Sequence, residues 1–487
     1  MKDIIIIGAG VVGCAIAREL SKYKLDVIVL EEKNDVAMGA TKANSAIVHG
    51  GYAESHNKIK GRLCHKGRLE YDRLNKELNF GFSKIGSMVL AFNNEDLYKL
   101  QDLMDNGIKN GLKDLEIIYH EQILNMEPNI SEDVKYALYC KGAGVTSPYE
   151  MATALMENAI HNGVVLKLNT KVTGIEKVNE TFKVKCNNGL YEGKVVINCA
   201  GVKSDYISSL VGINYFKIMP RSGEYILFER GSGSLVNHVL FQMPTKMGKG
   251  ILVTPTYHGN LLLGPDAYND SDVELGTHCE RLIKIYEAAN KTTDKINPKK
   301  FLRSFTGVRP VSSTDDFIIE NSKVNGFIQC AGIQSPGLTS SPAIALMVRD
   351  IIDNKLIRLN KKENFDPYRK PIIIKKDLLP MKDIVKYVNM ESGDERIICR
   401  CEQVSEKTIK DALSREIPVT SIDGVKRRTR AGMGWCQGTF CRPRVKKLME
   451  DYLNIKVDDT TDIEQSGINR VNKNDFLEYL NNENKEG

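Results

Sequence analysis

The first thirty residues place apolar runs on either side of a glycine turn, in the pattern of a βαβ unit. Residues 4–7 are all isoleucine, residues 11–22 have apolar positions at helical spacing, and residues 27–30 form a second apolar run. Apolar runs of this length that flank a helix are typical of parallel strands buried on both faces. The pattern therefore predicts the first part of a parallel sheet with helices packed on it.

Further along the chain, helices and strands continue to alternate and then give way to a β-rich stretch. Helical spacing recurs at residues 60–78, 149–162 and 343–352, and strand-like runs lie at residues 164–168, 171–175, 182–186, 195–198, 224–228, 251–256, 261–263 and 317–331. We therefore predict an α/β fold. A discontinuous Rossmann-like domain spans residues 1–355, and an inserted β-rich substrate domain occupies about 80–145 and 214–310.

The composition of the chain changes after residue 355. Residues 356–394 are rich in Lys, Asp and Asn and are interrupted by Pro367, Pro371 and Pro380, which is typical of a linker. Residues 395–453 contain closely spaced cysteines and are predicted to form a small α-helical module. Residues 454–487 are polar and acidic, and we predict a loosely ordered tail there.

The turn after the first apolar run carries Gly8, Gly10 and Gly13 in the spacing GxGxxG. The first glycine permits a tight turn, the second lets the backbone approach a pyrophosphate, and the third lets the helix pack closely on the sheet. The helix N-terminus offers N–H donors to phosphate. Glu31 directly follows the second apolar run and would accept hydrogen bonds from a ribose, with the neighbouring Glu32 as the alternative. These features together predict a dinucleotide site.

Composition narrows the possible partners and compartments. The 487 residues include 68 basic and 62 acidic side chains, so no overall charge favours nucleic acid. No apolar run is long enough to span a bilayer, which leaves peripheral membrane contact as the remaining mode. Eleven cysteines and an N-terminus without a signal-peptide pattern predict a reducing cytoplasmic setting, where clustered cysteines serve metal or redox chemistry.

Four of these cysteines have the spacing C-x-C-x34-C-x4-C, at Cys399, Cys401, Cys436 and Cys441. Four thiolates hold either Zn²⁺ or an iron-sulfur cluster, and a C-x-C pair is less usual for structural zinc. A basic run at residues 426–430 lies within the same region and is either a solvated loop or a docking surface for an acidic partner. The other seven cysteines are dispersed and are most simply small buried hydrophobes.

Residues 1–355 resemble the FAD-dependent oxidoreductases of the D-amino-acid oxidase and glycerol-3-phosphate dehydrogenase type, in particular the anaerobic glycerol-3-phosphate and L-2-hydroxyglutarate dehydrogenase branches. The resemblance rests on the GxGxxG turn and on the segments Asn44-Ser45, His49-Gly50-Gly51, Arg221-Ser222-Gly223-Glu224-Tyr225, Leu263-Gly264-Pro265, Gly307-Val308-Arg309-Pro310 and Gly332-Ile333-Gln334-Ser335-Pro336-Gly337. It implies an extended FAD held by Gly8, Gly10, Val12, Gly13, Glu31, Thr41, Asn44, Ser45, Val172, Ala200, Gly201, Gly332, Gly337, Leu338 and Thr339. Residues 337–339 also begin a helix, whose N-terminus would stabilise negative charge on a reduced flavin.

Two residues are the main candidates for chemistry. His49 is the predicted proton acceptor, since histidine titrates near neutral pH, and His258 is a weaker alternative in a polar turn. Arg309 is the predicted clamp for an anionic substrate because its planar fork suits a carboxylate or phosphate. The structural alternative for Arg309 is an ion pair with Asp315 or Asp316.

Further substrate-binding candidates are Arg221, Tyr225 and Lys249, although Tyr225 alternates with apolar residues and would also suit a core position. The residue after Gly51 is a tyrosine, where membrane-bound glycerol-3-phosphate dehydrogenases usually have arginine. This departure leaves both a phosphate and a carboxylate as the anionic group of the substrate.

The cysteine module resembles the bacterioferritin-associated-ferredoxin-like [2Fe-2S] domain, in residues 398–402 and 429–441. The two resemblances together imply an FAD-dependent dehydrogenase that passes electrons through a [2Fe-2S] cluster to a partner flavoprotein, iron-sulfur subunit or quinone. The expected substrate is a small anionic hydroxy compound, with glycerol 3-phosphate first, L-2-hydroxyglutarate or another 2-hydroxy acid second, and an amine, opine or amino acid third. A flavoprotein subunit that only transfers electrons is the non-enzymatic alternative.

Overall fold

The computed structural model describes residues 1–243, 250–269, 273, 275–374, 377–458, 460, 464 and 466–486. The chain divides into two compact units. The first contains Met1–Asp366 together with Asn469–Gly487, and the second contains Pro367–Ile468. No helix among the described residues is long and apolar enough to cross a membrane.

Helices and strands are interspersed along both units. The helices are α1 (Val11–Leu20), α2 (Ile59–Leu69), α3 (Tyr71–Leu78), α4 (Asn94–Lys109), α5 (His120–Met126), α6 (Pro148–His161), α7 (Ser204–Ser209), α8 (Cys279–Asn290), α9 (Gly337–Lys355), α10 (Met381–Val388), α11 (Glu406–Leu413), α12 (Ile422–Thr429), α13 (Arg442–Leu453) and α14 (Lys473–Glu486). The strands are β1 (Lys2–Ile7), β2 (Val27–Leu30), β3 (Ile47–Val48), β4 (Phe82–Ser83), β5 (Ser87–Ala91), β6 (Leu115–Tyr119), β7 (Tyr136–Cys140), β8 (Gly144–Thr146), β9 (Val165–Lys167), β10 (Val172–Val178), β11 (Thr181–Cys186), β12 (Gly189–Asn198), β13 (Ile218–Phe228), β14 (Val239–Phe241), β15 (Leu252–Pro255), β16 (Leu261–Gly264), β17 (Tyr268–Asn269), β18 (Phe301–Ser312), β19 (Ile318–Asn321), β20 (Phe327–Ala331), β21 (Ile397–Cys399) and β22 (Val404–Ser405).

A largely parallel sheet forms the centre of the first unit. Its parallel strands run in the order β9-β2-β1-β12-β20, and β19 adds an antiparallel edge. The four isoleucines of β1 are at most 5% exposed, which accounts for their unbroken apolar run. Helices α1, α6 and α9 pack together beside the sheet. The predicted Rossmann-like α/β fold is confirmed.

A second sheet carries the β-rich part of the unit. Its strand order is β17-β13-β16-β15-β14-β5-β7-β6, and the long strand β18 pairs with β13. Strands from residues 87–140 and 218–312 therefore share one sheet, although more than seventy residues separate them in the chain. The sheet packs against α8 around a core of apolar side chains that includes Ile226, Phe228 and Phe301.

The last residues of the chain differ from the predicted polar tail. Residues 469–487 return to the first unit, where α14 packs beside α8 and β18. Phe476 is 0% exposed and stacks on Phe301 with ring centroids 4.9 Å apart. The backbone N–H of Val471 donates to Thr277 Oγ1 at 2.8 Å. The composition of the segment concealed this role because a few apolar side chains anchor a mostly polar segment: Val471 and Phe476 are buried, and Leu477 and Leu480 pack beside them.

The predicted linker also contains ordered structure. Residues 356–366 belong to the first unit, where the carbonyl of Asp366 accepts hydrogen bonds from Asn158 and Asn162. Residues 381–388 form α10 in the second unit, and Ile384 and Val388 of that helix pack against Ile397. The three prolines therefore interrupt the segment without leaving it unstructured.

The second unit is a small module of short helices with the two-stranded β21–β22 ladder. Its core contains Ile409, Val425 and Met449 from α11, α12 and α13, which are each 0% exposed. The basic run at residues 426–430 lies at the end of α12. Arg427, Arg428 and Arg430 are at most 8% exposed, so the run is not a solvated loop, and these three side chains do not form the exposed docking surface that was the alternative.

Candidate active site and cluster site

The glycine turn after β1 has the geometry that its three glycines require. Gly8 has a φ of +102°, and a Cβ atom on Gly13 would lie 2.0 Å from the carbonyl oxygen of Gly8. A Cβ on Gly10 would touch only Thr41 Oγ1, at 3.4 Å, which leaves open space beside the start of α1. The N–H of Val11 donates to Thr41 Oγ1 at 3.0 Å. The turn is therefore closely packed at Gly8 and Gly13, whereas the side of Gly10 borders open space.

Glu31 lies at the end of β2, beside this turn. Its carboxylate accepts hydrogen bonds from the N–H groups of Ala9 at 2.7 Å and Lys33 at 2.9 Å. The side chain is 8% exposed, and burial raises the pKa of Glu31. The alternative residue, Glu32, instead pairs with Lys203 at 2.7 Å. Of these two glutamates, Glu31 therefore contacts the glycine turn, whereas Glu32 pairs with Lys203.

Three further predicted segments lie around the same region. Ala200 follows β12, and its Cα would be 3.4 Å from a Cβ on Gly8. Gly201 is exposed, with open space around its Cα. Val172 begins β10 and is 5% exposed, two residues after Thr170, whose N–H donates to the carbonyl of Glu31 at 2.7 Å. These residues surround the carboxyl ends of β1, β2 and β12.

The loop of residues 40–45 connects the glycine turn to the second sheet. Asn44 Nδ2 donates to the carbonyl of Thr41 at 2.8 Å, which closes the loop on itself. Ser45 hydrogen-bonds the side chain of Tyr225 on β13. A Cβ on Gly307 of β18 would lie 2.1 Å from the carbonyl oxygen of Ala43, so this strand packs directly on the loop. The two sheets therefore meet at residues 43–45.

His49 lies next to the start of α9. Its N–H donates to Thr339 Oγ1 at 2.9 Å, and its Nε2 is 3.4 Å from Ser335 Oγ. The imidazole stacks on Phe241, with ring centroids 5.9 Å apart. His49 also borders an open cleft. The cleft is lined by Gly50, Gly51, Tyr52, Ala53, Glu54, Cys64, Val89, Leu103, Gln242 and Pro336 as well as His49 and Phe241.

The start of α9 includes the remaining predicted cofactor residues. Gly332 has a φ of +67° and packs against Ser312 and Asp316, and Gly337 is the first residue of the helix. The carbonyl of Leu338 accepts a hydrogen bond from Tyr71 Oη at 2.7 Å. Thr339 is 0% exposed and bonds both His49 and Ile47. The helix start is thereby fixed beside the histidine.

Arg309 and Arg221 occupy directly opposed positions on the antiparallel strands β18 and β13. Directly opposed residues of an antiparallel pair project on the same face, with their Cβ atoms about 5 Å apart. Arg309 hydrogen-bonds Tyr225, and Arg221 Nε donates to Asn269 Oδ1 at 2.8 Å. Tyr225 is 3% exposed and stacks on Phe305 at 4.7 Å. This face therefore carries two arginines at opposed positions and a buried phenol beside Arg309.

The alternatives considered for Arg309 and for the catalytic histidine do not match the geometry. Asp315 pairs with Lys58 and Lys60, and Asp316 accepts the N–H groups of Ile59 and Lys60. Within the described part of the chain, neither Arg309 nor Arg221 forms a salt bridge with a carboxylate. The weaker histidine candidate, His258, is 6% exposed, and its Nε2 is 2.6 Å from Glu150 Oε1, so it serves a buried polar contact.

Lys249 lies outside the described residues, so the structure says nothing of its position.

Sequence reasoning missed a polar network beside Tyr225. Glu224 is 0% exposed and accepts hydrogen bonds from both the N–H and the imidazole of His278. Arg281 bonds Asp266 at 2.7 Å and contacts Glu224 at 3.1 Å. These residues fix β13 to the segment that carries Asn269. No periodic signal in the sequence indicates this network, because its residues come together only when β13 packs beside the residues that follow β16.

The four predicted cysteines come together in the second unit as two pairs. Cys401 and Cys436 have Sγ atoms 3.5 Å apart, and the thiols of Cys399 and Cys441 hydrogen-bond each other. The bond from Cys441 lowers the pKa of Cys399. Among the described residues no three His, Cys, Asp or Glu side chains converge as in a mononuclear metal site. Two pairs are the ligand set of a binuclear cluster, in which each iron takes two thiolates.

The two halves of the cysteine pattern are tied together by a buried ion pair. Arg430 Nε donates to Glu402 Oε2 at 2.8 Å, and the two side chains are 7% and 1% exposed. A Cβ on Gly434 would lie 2.2 Å from Cys401 Cβ, so the second loop packs directly on the first. Cys399 and Cys441 are buried, whereas Cys401 and Cys436 are partly exposed. One edge of the cluster site therefore faces outward.

Comparison with known proteins establishes the family. A family model described as "FAD dependent oxidoreductase" matches residues 3–351, well over half of the chain. The chain belongs to the FAD-dependent oxidoreductases. A second family model, "BFD-like [2Fe-2S] binding domain", matches residues 397–451 of this oxidoreductase and includes all four paired cysteines. The predicted cofactors, FAD and a [2Fe-2S] cluster, are confirmed at the level of these families.

Three similar proteins differ in how much of this oxidoreductase they cover. A glycerol 3-phosphate dehydrogenase of Caloramator mitchellensis is 45% identical over 469 residues, which is 96% of each chain. A glycerol 3-phosphate oxidase of Mycoplasma genitalium is 32% identical over 376 residues, 75% of this chain and 97% of the oxidase. The FAD-bound, dithionite-reduced L-α-glycerophosphate oxidase of Mycoplasma pneumoniae has a TM-score of 0.72 and 30% identity, covering 76% of this chain and 98% of its own.

The residues of this oxidoreductase fit the two cofactors. The open front of the glycine turn, with N–H groups at the start of α1 and the carboxylate of Glu31 beside it, has the donor and acceptor types that a pyrophosphate and a ribose need. The paired thiols have the softness that iron requires. The individual residue assignments remain predictions.

Proposed function

We propose that this oxidoreductase is a dehydrogenase that oxidises glycerol 3-phosphate to dihydroxyacetone phosphate and delivers the electrons through its [2Fe-2S] cluster to another redox carrier. The observation that carries the proposal is the pair of opposed arginines, Arg221 and Arg309, without a carboxylate partner among the described residues. Two uncompensated guanidinium groups on one face favour an anion of high charge, such as a phosphate ester. The relative named glycerol 3-phosphate dehydrogenase, which matches both units, supports the same substrate.

In this proposal the phosphate lies against the β13–β18 face. Arg309 supplies the bidentate contact, Arg221 adds a second positive charge, and Tyr225 holds Arg309 in place through its hydroxyl. Lys249 remains a further candidate from the sequence. The contact between β18 and the loop of residues 43–45 supports placing this face next to the flavin.

Proton transfer is assigned to His49. FAD supplies the hydride acceptor when it is bound. The imidazole of His49 accepts the proton of the substrate hydroxyl, while its stacking on Phe241 and its backbone bond to Thr339 hold the ring in one orientation. The nearby Ser335 hydroxyl is well placed to bond Nε2 and to set its tautomer.

The cofactor contacts follow the same geometry. We assign the pyrophosphate to the glycine turn and the start of α1, the ribose to Glu31, and the flavin end to residues 41–45 and the start of α9. The N–H groups of residues 337–339 begin a nineteen-residue helix, whose positive end would stabilise charge on the reduced ring.

The second unit favours a dehydrogenase over an oxidase. Among the relatives named for glycerol 3-phosphate, the two oxidases match about three quarters of this chain, whereas the dehydrogenase of Caloramator mitchellensis matches 96% of it. Within this group, the match that extends over the paired cysteines is therefore the one to a dehydrogenase. An enzyme that reduces oxygen directly from its flavin has no need of a cluster.

We infer that electrons leave at the exposed edge of the cluster, beside Cys401 and Cys436. Trp435 and Phe440 flank this edge, are 65% and 61% exposed, and contact each other with ring centroids 6.4 Å apart. Exposed tryptophan and phenylalanine side chains are enriched where proteins dock. A partner flavoprotein or iron-sulfur protein that docks here would lie close to the cluster.

An anaerobic substrate screen tests the proposal. The flavin absorbance is followed as glycerol 3-phosphate, L-2-hydroxyglutarate, an amino acid or glycerol is added without oxygen. Rapid bleaching by glycerol 3-phosphate alone is expected, and glycerol serves as the uncharged control. Bleaching by the hydroxy acid instead would assign the enzyme to that branch, and bleaching by the amino acid would indicate amine oxidation. Reduction only by another flavoprotein would identify an electron-transfer subunit.

A further inference from the structure

A group of exposed apolar side chains lies at the start of the second unit. Ile374, Leu378, Leu379, Met381 and Val385 are 72%, 36%, 56%, 51% and 45% exposed. We call these five residues the apolar patch. Single exposed apolar residues are common on protein surfaces, but five within twelve consecutive positions are not explained by chance exposure.

The backbone of the apolar patch is held in place. The side-chain amide of Gln403 bonds both sides of Leu379, accepting from its N–H at 3.0 Å and donating to its carbonyl at 2.7 Å. Gln403 is 7% exposed and lies two residues after the cluster ligand candidate Cys401. The side chain of Leu379 therefore projects from a backbone that two hydrogen bonds hold in place.

Helix α10 explains why part of the apolar patch stays exposed. Its apolar stripe contains Ile384 and Val388, which are covered by Ile397, and Met381 and Val385, which are not. At 3.6 residues per turn, Lys382 and Lys386 follow directly beside the exposed half of the stripe. Part of the apolar face of α10 is therefore left uncovered by the second unit.

The surrounding sequence is basic. Residues 367–388 contain six lysines or arginines and two aspartates. An apolar stripe bordered by lysines suits an anionic lipid surface, because the apolar side chains enter the acyl boundary while the ammonium groups meet the phosphates. Lysine is depleted in protein interfaces, which favours a lipid surface over a protein as the partner of this lysine-bordered stripe.

We propose that the apolar patch and its lysines attach the second unit to the surface of an anionic lipid membrane. The attachment is peripheral, with the side chains inserted at the headgroup level. It would keep the cluster near acceptors in or on the membrane. The proposal concerns the surface of the second unit and does not depend on which substrate the flavin unit oxidises.

The experiment is sedimentation of the full-length protein with vesicles. Phosphatidylcholine vesicles containing phosphatidylglycerol are compared with vesicles of phosphatidylcholine alone. We expect binding to the anionic vesicles, weakening with added salt, and little binding to the neutral ones. The variants Leu379→Asp and Lys382→Glu/Lys386→Glu should each weaken the anionic binding by about tenfold or more.

Leu190→Asp is the matched control, since Leu190 is 58% exposed on the first unit, close to the 56% of Leu379. It should bind like the wild type. Unchanged flavin and cluster absorbance would show that each variant is folded. A wild type that stays in the supernatant with both vesicles would overturn the proposal, as would patch variants that bind equally well. A change of oligomeric state in Leu379→Asp by light scattering, without vesicle binding by the wild type, would instead assign the patch to contact between copies.

Discussion

The two units build their sites from very different ranges of sequence. All four cluster ligand candidates lie within 43 residues and converge through short loops around α12. The candidate residues of the flavin unit, Gly8, His49, Arg221 and Arg309, are instead spread over three hundred residues. The first arrangement depends on local spacing, whereas the second depends on the register of a sheet. Substitutions should therefore act differently in the two units.

In the cluster unit, we expect each of the four cysteines to be indispensable, because a cluster of this kind takes four thiolates. In the flavin unit, we expect binding to be shared among several side chains, so that the loss of one leaves the rest in place. The expected effects thus decrease from complete loss of a cofactor to modest changes in rate.

Cys436→Ser tests the local site and has the largest expected effect. Loss of one thiolate from the exposed pair should abolish the cluster, because Cys401 is left without its partner 3.5 Å away. Visible iron-sulfur absorbance and acid-labile sulfide should disappear, while bound FAD and flavin reduction by substrate persist. Cys279→Ser, on α8 of the first unit, is the control and should retain both cofactors. Sulfide retained at full stoichiometry in Cys436→Ser would refute the ligand assignment.

Sequence alone could predict the cluster domain with its four cysteines and the glycine turn, because both depend on spacing within short segments. It could also name Arg309 and Arg221 as separate candidates. Their opposition across β13 and β18 could not be predicted, since a shift of one residue in the register would send one arginine to the other face. The buried Glu224–His278–Arg281 network was missed for the same reason.

The role of the C-terminal residues was hidden by composition. Most of α14 is polar, and its fixation depends on Phe476 packing against Tyr286 and Phe301, which are distant in sequence. The basic run at residues 426–430 was misjudged in the opposite direction, because the sequence predicted exposed side chains there. Its arginines are buried, with Arg430 paired to Glu402, and a charge run read in isolation gives no sign of such a partner.

Phe476→Ala tests whether the C-terminal helix is part of the flavin unit. Removal of a fully buried aromatic ring should lower the free energy of unfolding by about 3–5 kcal/mol. Urea unfolding followed by release of FAD fluorescence should shift accordingly, while cluster absorbance, which reports on the second unit, should shift little. Tyr479→Ala, at a 37% exposed position on the same helix, should cost about 1 kcal/mol or less. Equal effects of the two substitutions would contradict a specific anchor at Phe476.

Arg309→Gln tests the sheet-built part of the flavin site. The change removes the bidentate contact and should lower kcat/KM for glycerol 3-phosphate by about a hundredfold, with flavin absorbance unchanged. Arg303→Gln, six residues away on the same strand, is the control and should remain within about twofold of the wild type. A hundredfold loss in both variants would indicate a general effect on β18, and no loss in Arg309→Gln would remove this residue from the substrate site.

Tyr225→Phe should have the smallest effect, since it removes one hydroxyl that supports Arg309. Loss of this bond should lower kcat/KM about tenfold, mainly through KM. Burial raises the pKa of Tyr225 above its ordinary value of 10.0, so the phenol stays protonated, and its contribution stays intact, at every pH below that value. The alkaline limb of the pH profile of kcat/KM should therefore be the same in Tyr225→Phe and in the wild type when it falls below pH 10.0. A limb that disappears in the variant would show that Tyr225 itself titrates there, and the phenol would then act in proton transfer in addition to positioning the arginine.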